Sequence, residues 1–381
     1  MPRSKISGIT DKFRAVVDEP YEKLKQWKEV NKKKIVGCSP MHFPEELIHA
    51  AGMLPVVLQE TDETITTGFS YIYPFFCGIT RNLIDIGVKG QLGFLDGLIY
   101  SDLCVQNRTA ASILRQNLPS IYVEFAQLPS SFTKEGVMED TIKELDRIKA
   151  NLEKLTGRKI DDKSLKQSIL VYNKNRSLLR RLHDLHRADP KLLPYRDMQV
   201  IVQSSMLMPK EEHTQLLEEL LSEMEGMKPT SVKGSRLFLS GHLCQSPKAD
   251  ILDLIEGVGG VIVDDDLYTG YRHYAVDVEV NGSPIQALAK RHLEKSLPVP
   301  TRTDLPIRWE KYLVDRVKAS KAQGAVILVV KFCEPHLFYY PFIKEALAKA
   351  CIPHIMVETE HEVVSLEGVR TRLQAFIEML R

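Results

Sequence analysis

The chain has 381 residues, with 51 Lys and Arg against 50 Asp and Glu, and a formal net charge of +1. This length allows two to three domains with more than one buried core. No arm or tail concentrates basic residues, so we expect no nucleic-acid partner. No apolar run approaches the ~18 residues of a membrane span, so we expect no membrane partner. The charged N-terminus lacks the apolar core of a secretion signal, so we expect a cytoplasmic protein.

The first 30 residues are charged throughout and predict an N-terminal helical segment over 1–30. Two βαβ units follow, because short β-rich apolar runs alternate with helix-length segments. Their predicted elements are strand 34–38, helix 44–51 closed by Gly52, strand 54–58, strand 98–100, a helix to about Arg115, and strand 120–125. This rhythm predicts a first α/β lobe over 31–134.

Between residues 135 and 231 the pattern changes to long helices. The predicted helices are 139–155 closed by Gly157, 163–186 after Asp161 and Asp162, and 211–224 after Pro209. Capping residues at their starts and glycine at a helix end favour these boundaries. We therefore expect a helical insertion over 135–231 that braces the parts of the chain on either side.

The βαβ rhythm restarts after residue 232. The predicted elements are strand 236–239, helix 249–256, strand 261–263, strand 325–330, a helix ending near Ala350, strand 354–357, and a C-terminal helix. They predict a second α/β lobe over 232–381. The expected fold class is α/β, with two Rossmann-like lobes that contain parallel sheets and a helical insertion between them.

Four of the six cysteines follow predicted strands and precede helices, namely Cys38, Cys104, Cys244 and Cys333. Ligands of open parallel sheets bind at the carboxyl ends of strands, so these positions are candidate ligands. A single buried cysteine is more often an inert small hydrophobe. The absence of a C-x-x-C pair disfavours zinc and dithiol sites, whereas soft thiolates brought together by the fold suit an iron–sulfur cluster.

The two remaining cysteines have different surroundings. Cys77 lies between Pro74 and Gly78, which predicts an irregular loop. Cys351 lies on the predicted helix that ends near Ala350 and is expected to be an apolar filler.

Four segments resemble the 2-hydroxyacyl-CoA dehydratase and benzoyl-CoA reductase family, and the resemblance covers nearly the whole chain. These segments are Gly37–Pro55, Phe94–Cys104, Lys331–His336 and Glu367–Glu378. Two further segments, Asp264–Tyr271 and Tyr172–Ser177, are most similar to the smaller of the cluster-bearing subunits of ATP-dependent benzoyl-CoA reductases.

The resemblance implies one [4Fe–4S] cluster held by three cysteines, with a non-cysteine ligand on the fourth iron. The matching residues are Cys77, Cys104 and Cys333, which are therefore the expected cofactor-binding and metal-binding residues; the resemblance assigns no catalytic residue. Cys38 matches a recurrent family position and is expected to pack beside the cluster without bonding to it. Cys244 matches no family motif and is the weaker candidate.

The resemblance also implies a reaction and partners. Electrons would pass from ferredoxin through an ATP-hydrolysing iron–sulfur activator to the cluster, and then to the ring of an aromatic acyl-CoA. A larger related cluster-bearing subunit would work beside this chain. The chain contains no P-loop, and Gly257–Gly260 follows a helix and enters a strand, opposite to a dinucleotide motif.

Two other functions remain open. One is the lyase reaction of a 2-hydroxyacyl-CoA dehydratase β subunit, in which the electron is recycled. The other is a non-catalytic two-lobed binding module whose cysteines only fill its core.

Several polar residues follow the cysteine motifs or the strands. His42 and His336 would suit a proton donor, although a histidine at a helix start is as often a surface residue. The carboxylates of Asp264–Asp266, Glu358 and Glu360 are expected to be solvated rather than ligands.

Overall fold

The computed structural model describes residues 2–225, 227, 233–242, 244–302, 304–362 and 365–381. Its strands form two separate four-stranded sheets, and every strand pair within them is parallel. A long helical section lies between the two sheets in the chain. The predicted α/β fold class is therefore confirmed.

The chain begins with two helices, α1 (Pro2–Val17) and α2 (Pro20–Asn31). The first lobe follows. We use this name for its sheet and the helices that connect the strands: β1 (Ile35–Cys38), α3 (Glu45–Ala50), β2 (Leu54–Val57), α4 (Gly78–Val88), β3 (Gly97–Ser101), α5 (Val105–Asn117) and β4 (Tyr122–Ala126). The strands β1 to β3 are buried at every position, which explains their continuous apolar sequences.

The helical section consists of α6 (Val137–Thr156), α7 (Asp162–Ala188), α8 (Tyr195–Ser204) and α9 (Lys210–Met224). Within residues 135–225 the structure contains no strand. Helix α1 packs against α8 and α9, where Arg14 forms an ion pair with Asp197 at 2.6 Å. The predicted boundary at residues 231 and 232 lies outside the described residues.

The second lobe contains the other sheet: β5 (Ser235–Gly241), α10 (Ala249–Gly257), β6 (Gly260–Asp266), α11 (Pro284–Glu294), α12 (Trp309–Ala319), β7 (Gly324–Val330), α13 (Glu334–Lys349), β8 (His354–Thr359) and α14 (Glu367–Met379). Among the described residues, no helix is long and apolar enough to cross a membrane.

The two sheets share one topology. The strand orders are β2-β1-β3-β4 and β6-β5-β7-β8, so the winding reverses between β1 and β3 and again between β5 and β7. At such a reversal the loops that follow the two central strands separate and leave a crevice at the carboxyl edge of the sheet. Each lobe therefore has one favoured place for a ligand.

The core is continuous between the lobes. One buried apolar cluster includes Phe13 of α1, Leu98 of β3, Leu182 of α7, Ile201 of α8 and Leu237 of β5. The helical section thus packs against both sheets and holds them in a fixed relation.

The lobes also meet directly at polar contacts around His361. Its Nδ1 pairs with the carboxylate of Glu60, and its Nε2 lies 2.8 Å from the carbonyl oxygen of Glu63. Next to it, Arg81 forms an ion pair with Glu360. We call this set of contacts the lobe latch.

The lobe latch predicts a pH dependence. Burial disfavours the imidazolium, but the hydrogen bonds to Glu60 and to the carbonyl of Glu63 outweigh it and raise the pKa of His361. The latch should therefore contribute its full stability below the unfolded pKa of about 6.5 and lose it as the pH rises through the higher folded value. In melting curves over this range, the difference between wild type and His361→Gln should shrink with rising pH. A difference that stays constant would contradict this.

Candidate functional site

Each of the three cysteines expected to bind a cluster is the N-cap residue of a helix. Cys77 precedes α4, Cys104 precedes α5 and Cys333 precedes α13. The N-terminus of a helix carries partial positive charge from its unpaired N–H groups. A thiolate is stabilised there, and this is the form in which cysteine binds a metal.

The three thiols line one cavity of about 40 Å³ together with a fourth, Cys244. We call it the thiol cavity. The rest of its lining is mostly apolar. The other lining residues, polar ones included, are Pro40, Ile79, Thr80, Leu83, Tyr100, Leu103, Gln106, Asn107, Ala110, Thr301, Glu334 and Pro335. Such a lining excludes water and lowers the local dielectric constant, which strengthens electrostatic interactions inside.

Two of the N-cap thiols lie beside hydrogen-bonding groups of their own helices. Thr80 Oγ1 lies 3.2 Å from Cys77 Sγ, and the N–H of Asn107 donates to Cys104 Sγ at 3.5 Å. Burial, followed by the charge of neighbouring cysteines, raises the pKa of Cys104 and of Cys333 to about 12. Without a metal these two thiols are protonated at neutral pH, so metal binding must release protons.

Gln106 connects the three segments that carry the cysteines. Its Oε1 accepts a hydrogen bond from the N–H of Cys77 at 2.7 Å, and its Nε2 donates to the carbonyl of Phe332 at 2.9 Å. The side chain is buried and lies on α5, two residues after Cys104. Gln106 therefore fixes the Cys77 and Cys333 segments relative to Cys104. Sequence reasoning missed it, and its closeness to Cys104 was the available signal.

The other three cysteines lie in different surroundings. Cys38 is buried and does not line the thiol cavity, so its expected place beside the cluster, without a bond to it, stays a prediction. Cys244, the weaker candidate, does line the thiol cavity. Cys351 is exposed, although it was expected to be an apolar filler.

Strand geometry explains why Cys244 lines the thiol cavity and Cys38 does not. Cys104, Cys244 and Cys333 each lie three residues beyond the end of a central strand, β3, β5 and β7 respectively. Cys38 is instead the last residue of β1, and the position three residues further is Met41. A thiol within the strand stays in the sheet, whereas one in the following loop reaches the crevice.

The donor set fits an iron–sulfur cluster. Soft thiolates in an apolar pocket, with three helix N-termini directed at them, suit iron and sulfide better than a hard cation. Among the described residues, no group of three or more His, Cys, Asp and Glu side chains is arranged as the ligands of a metal ion. A cluster differs from a single ion because each thiolate binds a separate iron, so its ligands need not meet at one point.

The two histidines considered as proton donors are not suited to act as imidazolium acids. Burial, followed by the charges of His242 and Arg272, lowers the pKa of His336 to about 3. Burial and then Arg302 lower the pKa of His42 well below its usual value. Both rings are therefore neutral at neutral pH. His336 is also fully buried, so its alternative interpretation as a surface residue is wrong.

A second, larger cavity of about 130 Å³ lies beside the segment that follows β1. We call it the charged cavity. The ionisable and histidine side chains that line it are His42, Glu45, Glu46, Arg176, Lys210, Arg272, His273, Arg291, His292 and Lys295. Its apolar lining includes Met41, Phe43, Leu128, Leu288 and Val299. The cavity thus offers apolar walls together with groups that recognise a polar or anionic function.

Two ion pairs organise the charged cavity. Arg176 Nη1 donates to Glu46 at 2.8 Å, and both residues are buried. Lys210 Nζ lies 3.7 Å from Glu45 Oε2, which has no hydrogen-bond partner among the described residues. Burial raises the pKa of Glu45 and lowers that of Lys210. This carboxylate oxygen is available to a ligand that donates a hydrogen bond or a proton.

The aspartates at the end of β6 are buried, so their expected solvated position is wrong. Asp264 contacts His183 at 2.9 Å and Arg316 at 2.6 Å. Asp266 pairs with Arg272 at 2.8 Å. These carboxylates are balanced by cations or hydrogen-bond donors and connect β6 to the surrounding helices.

The two glutamates at the end of β8 differ from each other, since Glu358 lies within the strand and Glu360 directly follows it. Glu358 is exposed, as expected. Glu360 belongs to the lobe latch, so its expected solvated position is wrong.

Comparison with known proteins shows the family to which the chain belongs. The family model described as 2-hydroxyglutaryl-CoA dehydratase, D-component, matches residues 40–380. The chain is 27% identical to a benzoyl-CoA reductase subunit of Thauera aromatica over 368 residues, which are 96% of this chain and 95% of that protein. It is also 27% identical to the (R)-phenyllactyl-CoA dehydratase beta subunit of Clostridium sporogenes over 368 residues, 97% of each chain.

A third relative extends the comparison. The chain is 28% identical to the (R)-2-hydroxyglutaryl-CoA dehydratase subunit beta of Acidaminococcus fermentans over 390 aligned positions, which cover 98% of this chain and all of that protein. These three relatives are named as subunits of reductases or dehydratases, and their nearly equal identities do not distinguish the two reactions. The family expected from the sequence motifs is confirmed: this chain belongs to the 2-hydroxyglutaryl-CoA dehydratase D-component family of enzyme subunits.

Proposed function

We propose that the chain is a [4Fe–4S] cluster-bearing subunit that passes low-potential electrons toward reduction of an aromatic acyl-CoA ring. The observation that carries this proposal is that three N-cap cysteines, Cys77, Cys104 and Cys333, line a single apolar cavity. These three residues would hold the cluster. When bound, such a cluster supplies one-electron transfer at a potential set by burial and by hydrogen bonds to its sulfurs.

The residues of this chain have distinct tasks in that proposal. Leu83, Leu103 and Ala110 exclude water from the thiol cavity. The N-termini of α4, α5 and α13 stabilise added negative charge there. Gln106 holds the cysteine-bearing segments in place, as its two hydrogen bonds indicate.

The charged cavity is the proposed site for the acyl end of the CoA thioester. It adjoins the thiol cavity along the chain, because Pro40 lines one and Met41 lines the other. Its apolar walls suit an acyl or aromatic group, and the Glu45 oxygen that has no hydrogen bond in the described residues would hold or move a proton. Arg291 and Lys295, which are partly exposed, suit the phosphates of CoA.

A partner subunit is supported by an apolar face around the three cysteines. Exposed apolar side chains precede Cys77, follow Cys104 and follow Cys333: Tyr73, Phe75, Val105, Leu337, Phe338 and Phe342. Contiguous exposed apolar surface is typical of an interaction site. We assign this face to the larger related subunit. The ATP-hydrolysing activator and ferredoxin remain the proposed electron source, in the cytoplasm.

The second candidate is the dehydratase reaction, which the matched family description and two of the relatives favour. The two reactions differ in electron use. A reductase consumes electrons in proportion to product, whereas a dehydratase needs them only to start turnover.

Electron stoichiometry tests the proposed reaction. The complex of this chain with its partner subunit, supplied with ATP, reduced activator and benzoyl-CoA, should consume two electrons from the reduced activator for each ring to which two hydrogens are added. If the same complex, given a 2-hydroxyacyl-CoA, removes water from many substrate molecules for each electron supplied, the protein is a dehydratase instead. Full turnover by the isolated chain would contradict the proposed partner.

A further inference from the structure

The segment that connects the two cavities has an unusual backbone. Pro40 lines the thiol cavity, and Met41 and His42 line the charged cavity. We call residues 40–42 the wall segment. Met41 and His42 both have a φ of 65°, in the left-handed region that residues with a side chain seldom adopt. Two such residues in succession persist only where the surrounding structure holds them, and strain of this kind is concentrated at functional sites.

A buried set of hydrogen bonds holds the wall segment. Ser101, the last residue of β3, donates from its hydroxyl to the carbonyl oxygen of Met41 at 2.9 Å. Its N–H donates to Ser39 Oγ at 3.0 Å, and its carbonyl oxygen accepts from Asn107 Nδ2 at 2.7 Å. Ser39, Ser101 and Asn107 are all buried. We call these three residues the polar network.

The polar network reaches both cavities. Asn107 lines the thiol cavity, and its N–H donates to Cys104 Sγ at 3.5 Å. At the other end, the Ser101 hydroxyl holds the carbonyl of Met41, which lines the charged cavity. A buried hydrogen bond adds little net stability, so apolar side chains could fill this place equally well. What hydrogen bonds add is a fixed direction, which favours a positioning role.

We propose that Ser101 is a positioning residue for the acyl group, because its hydroxyl keeps Met41 and His42 in the left-handed conformation and so fixes one wall of the charged cavity. This inference rests on the proposed function, since it takes the charged cavity as the acyl site. Without the hydroxyl, the Met41 carbonyl keeps the hydrogen bond from the N–H of Phe43 at 2.8 Å but loses its connection to β3. The wall segment can then relax toward negative φ, and the cavity loses the shape against which the acyl group packs.

Equilibrium binding of benzoyl-CoA tests the role of Ser101. The cluster-loaded complex of this chain with its partner subunit is titrated with benzoyl-CoA in the absence of reductant. Ser101→Ala should bind about fivefold more weakly, the effect of one ordinary hydrogen bond, and should keep the iron content and absorbance of the wild type. When ATP and reduced activator are added, KM should rise by the same factor while kcat stays within about a factor of two.

A rescue variant and a matched control separate positioning from stability. Ser101→Thr keeps the hydroxyl and should restore most of the affinity. Ser204→Ala removes another buried hydroxyl, which donates to the carbonyl of Ile201 at 2.8 Å and lines neither cavity. It should lower the melting temperature as Ser101→Ala does, yet bind benzoyl-CoA as the wild type does. Unchanged affinity in Ser101→Ala, or an equal loss in Ser204→Ala, would overturn the proposal.

Two further variants keep the outcomes distinct. If Ser101→Ala does not fold, Asn107→Ala, which removes the donor to the Ser101 carbonyl, should show the same loss of affinity, and wild-type affinity there would overturn the proposal. Leu288→Phe fills part of the charged cavity and should weaken binding strongly. If the wild-type complex binds no benzoyl-CoA, or Leu288→Phe binds it normally, the proposed acyl site fails and this inference with it. If only Ser101→Ala binds normally, the role of Ser101 fails alone.

Discussion

Replacing Cys104 by alanine is expected to remove most of the iron from the chain and to reduce turnover to background, and the same holds for Cys77→Ala and Cys333→Ala. Each of these residues combines a thiol that lines the thiol cavity with the N-terminus of a helix. Loss of one leaves Cys244 and two N-cap thiolates, and Cys244 has no hydrogen bond or helix N-terminus in the described structure to support its anion. Iron and sulfide analysis after anaerobic purification measures the first effect.

Cys351→Ala is the matched control for these variants. Its side chain is exposed and outside the thiol cavity, so we expect full iron content and a stability change within about 0.5 kcal/mol. If Cys333→Ala kept its iron and turnover while Cys351→Ala lost both, the proposed ligand set would be wrong.

Gln106→Leu is expected to have the second largest effect. The substitution leaves the N–H of Cys77 and the carbonyl of Phe332 without the hydrogen bonds that they now make. A buried group left unpaired costs about 1–3 kcal/mol, so the metal-free chain should unfold at lower urea concentration. The Cys77 and Cys333 segments should also lose their fixed positions, so iron content should fall together with stability.

Gln106→Glu separates the two hydrogen bonds. A carboxylate can still accept from the Cys77 N–H, but it cannot donate to the Phe332 carbonyl. We expect intermediate stability and, in the protein that retains iron, a lower reduction potential because of the added negative charge. Gln374→Leu, on the exposed side of α14, serves as the control. Wild-type iron content and stability in Gln106→Leu would show that this side chain does not position the cysteines.

Local sequence patterns predicted the sheets better than the helices that complete the site. Continuous apolar runs such as Ala325–Val330 mark buried parallel strands, and they appear as strands. Helix α4 was missed because its first residue, Gly78, usually indicates a break. The reason for glycine is a distant contact: a Cβ at Gly78 would lie 2.8 Å from the Cβ of His361. No local pattern carries that information.

The candidate site was predicted in part. The resemblance implied Cys77, Cys104 and Cys333 as ligands, and the fold brings these thiols to one cavity. Whether a cysteine lines the thiol cavity depends on its distance from the end of its strand. Cys38 is the last residue of β1 and does not line the cavity, whereas Cys244 lies three residues beyond β5 and does. Sequence patterns do not locate strand ends to within these few residues.

The division of the chain at residues 31–134, 135–231 and 232–381 stays a prediction. The strands do fall into two sheets on either side of a helical section. However, one apolar cluster joins α1, β3, α7 and β5, so separate folding of the parts does not follow from their order in the chain.

Anaerobic purification of the full-length chain, followed by absorbance spectroscopy and iron analysis, tests the central claim most directly. A cluster on Cys77, Cys104 and Cys333 predicts a brown protein with a broad absorbance band and about four irons and four sulfides per chain. A folded but colourless protein that stays free of iron after reconstitution with ferrous iron and sulfide would contradict it. That result would favour the non-catalytic two-lobed binding module, with the cysteines as core residues.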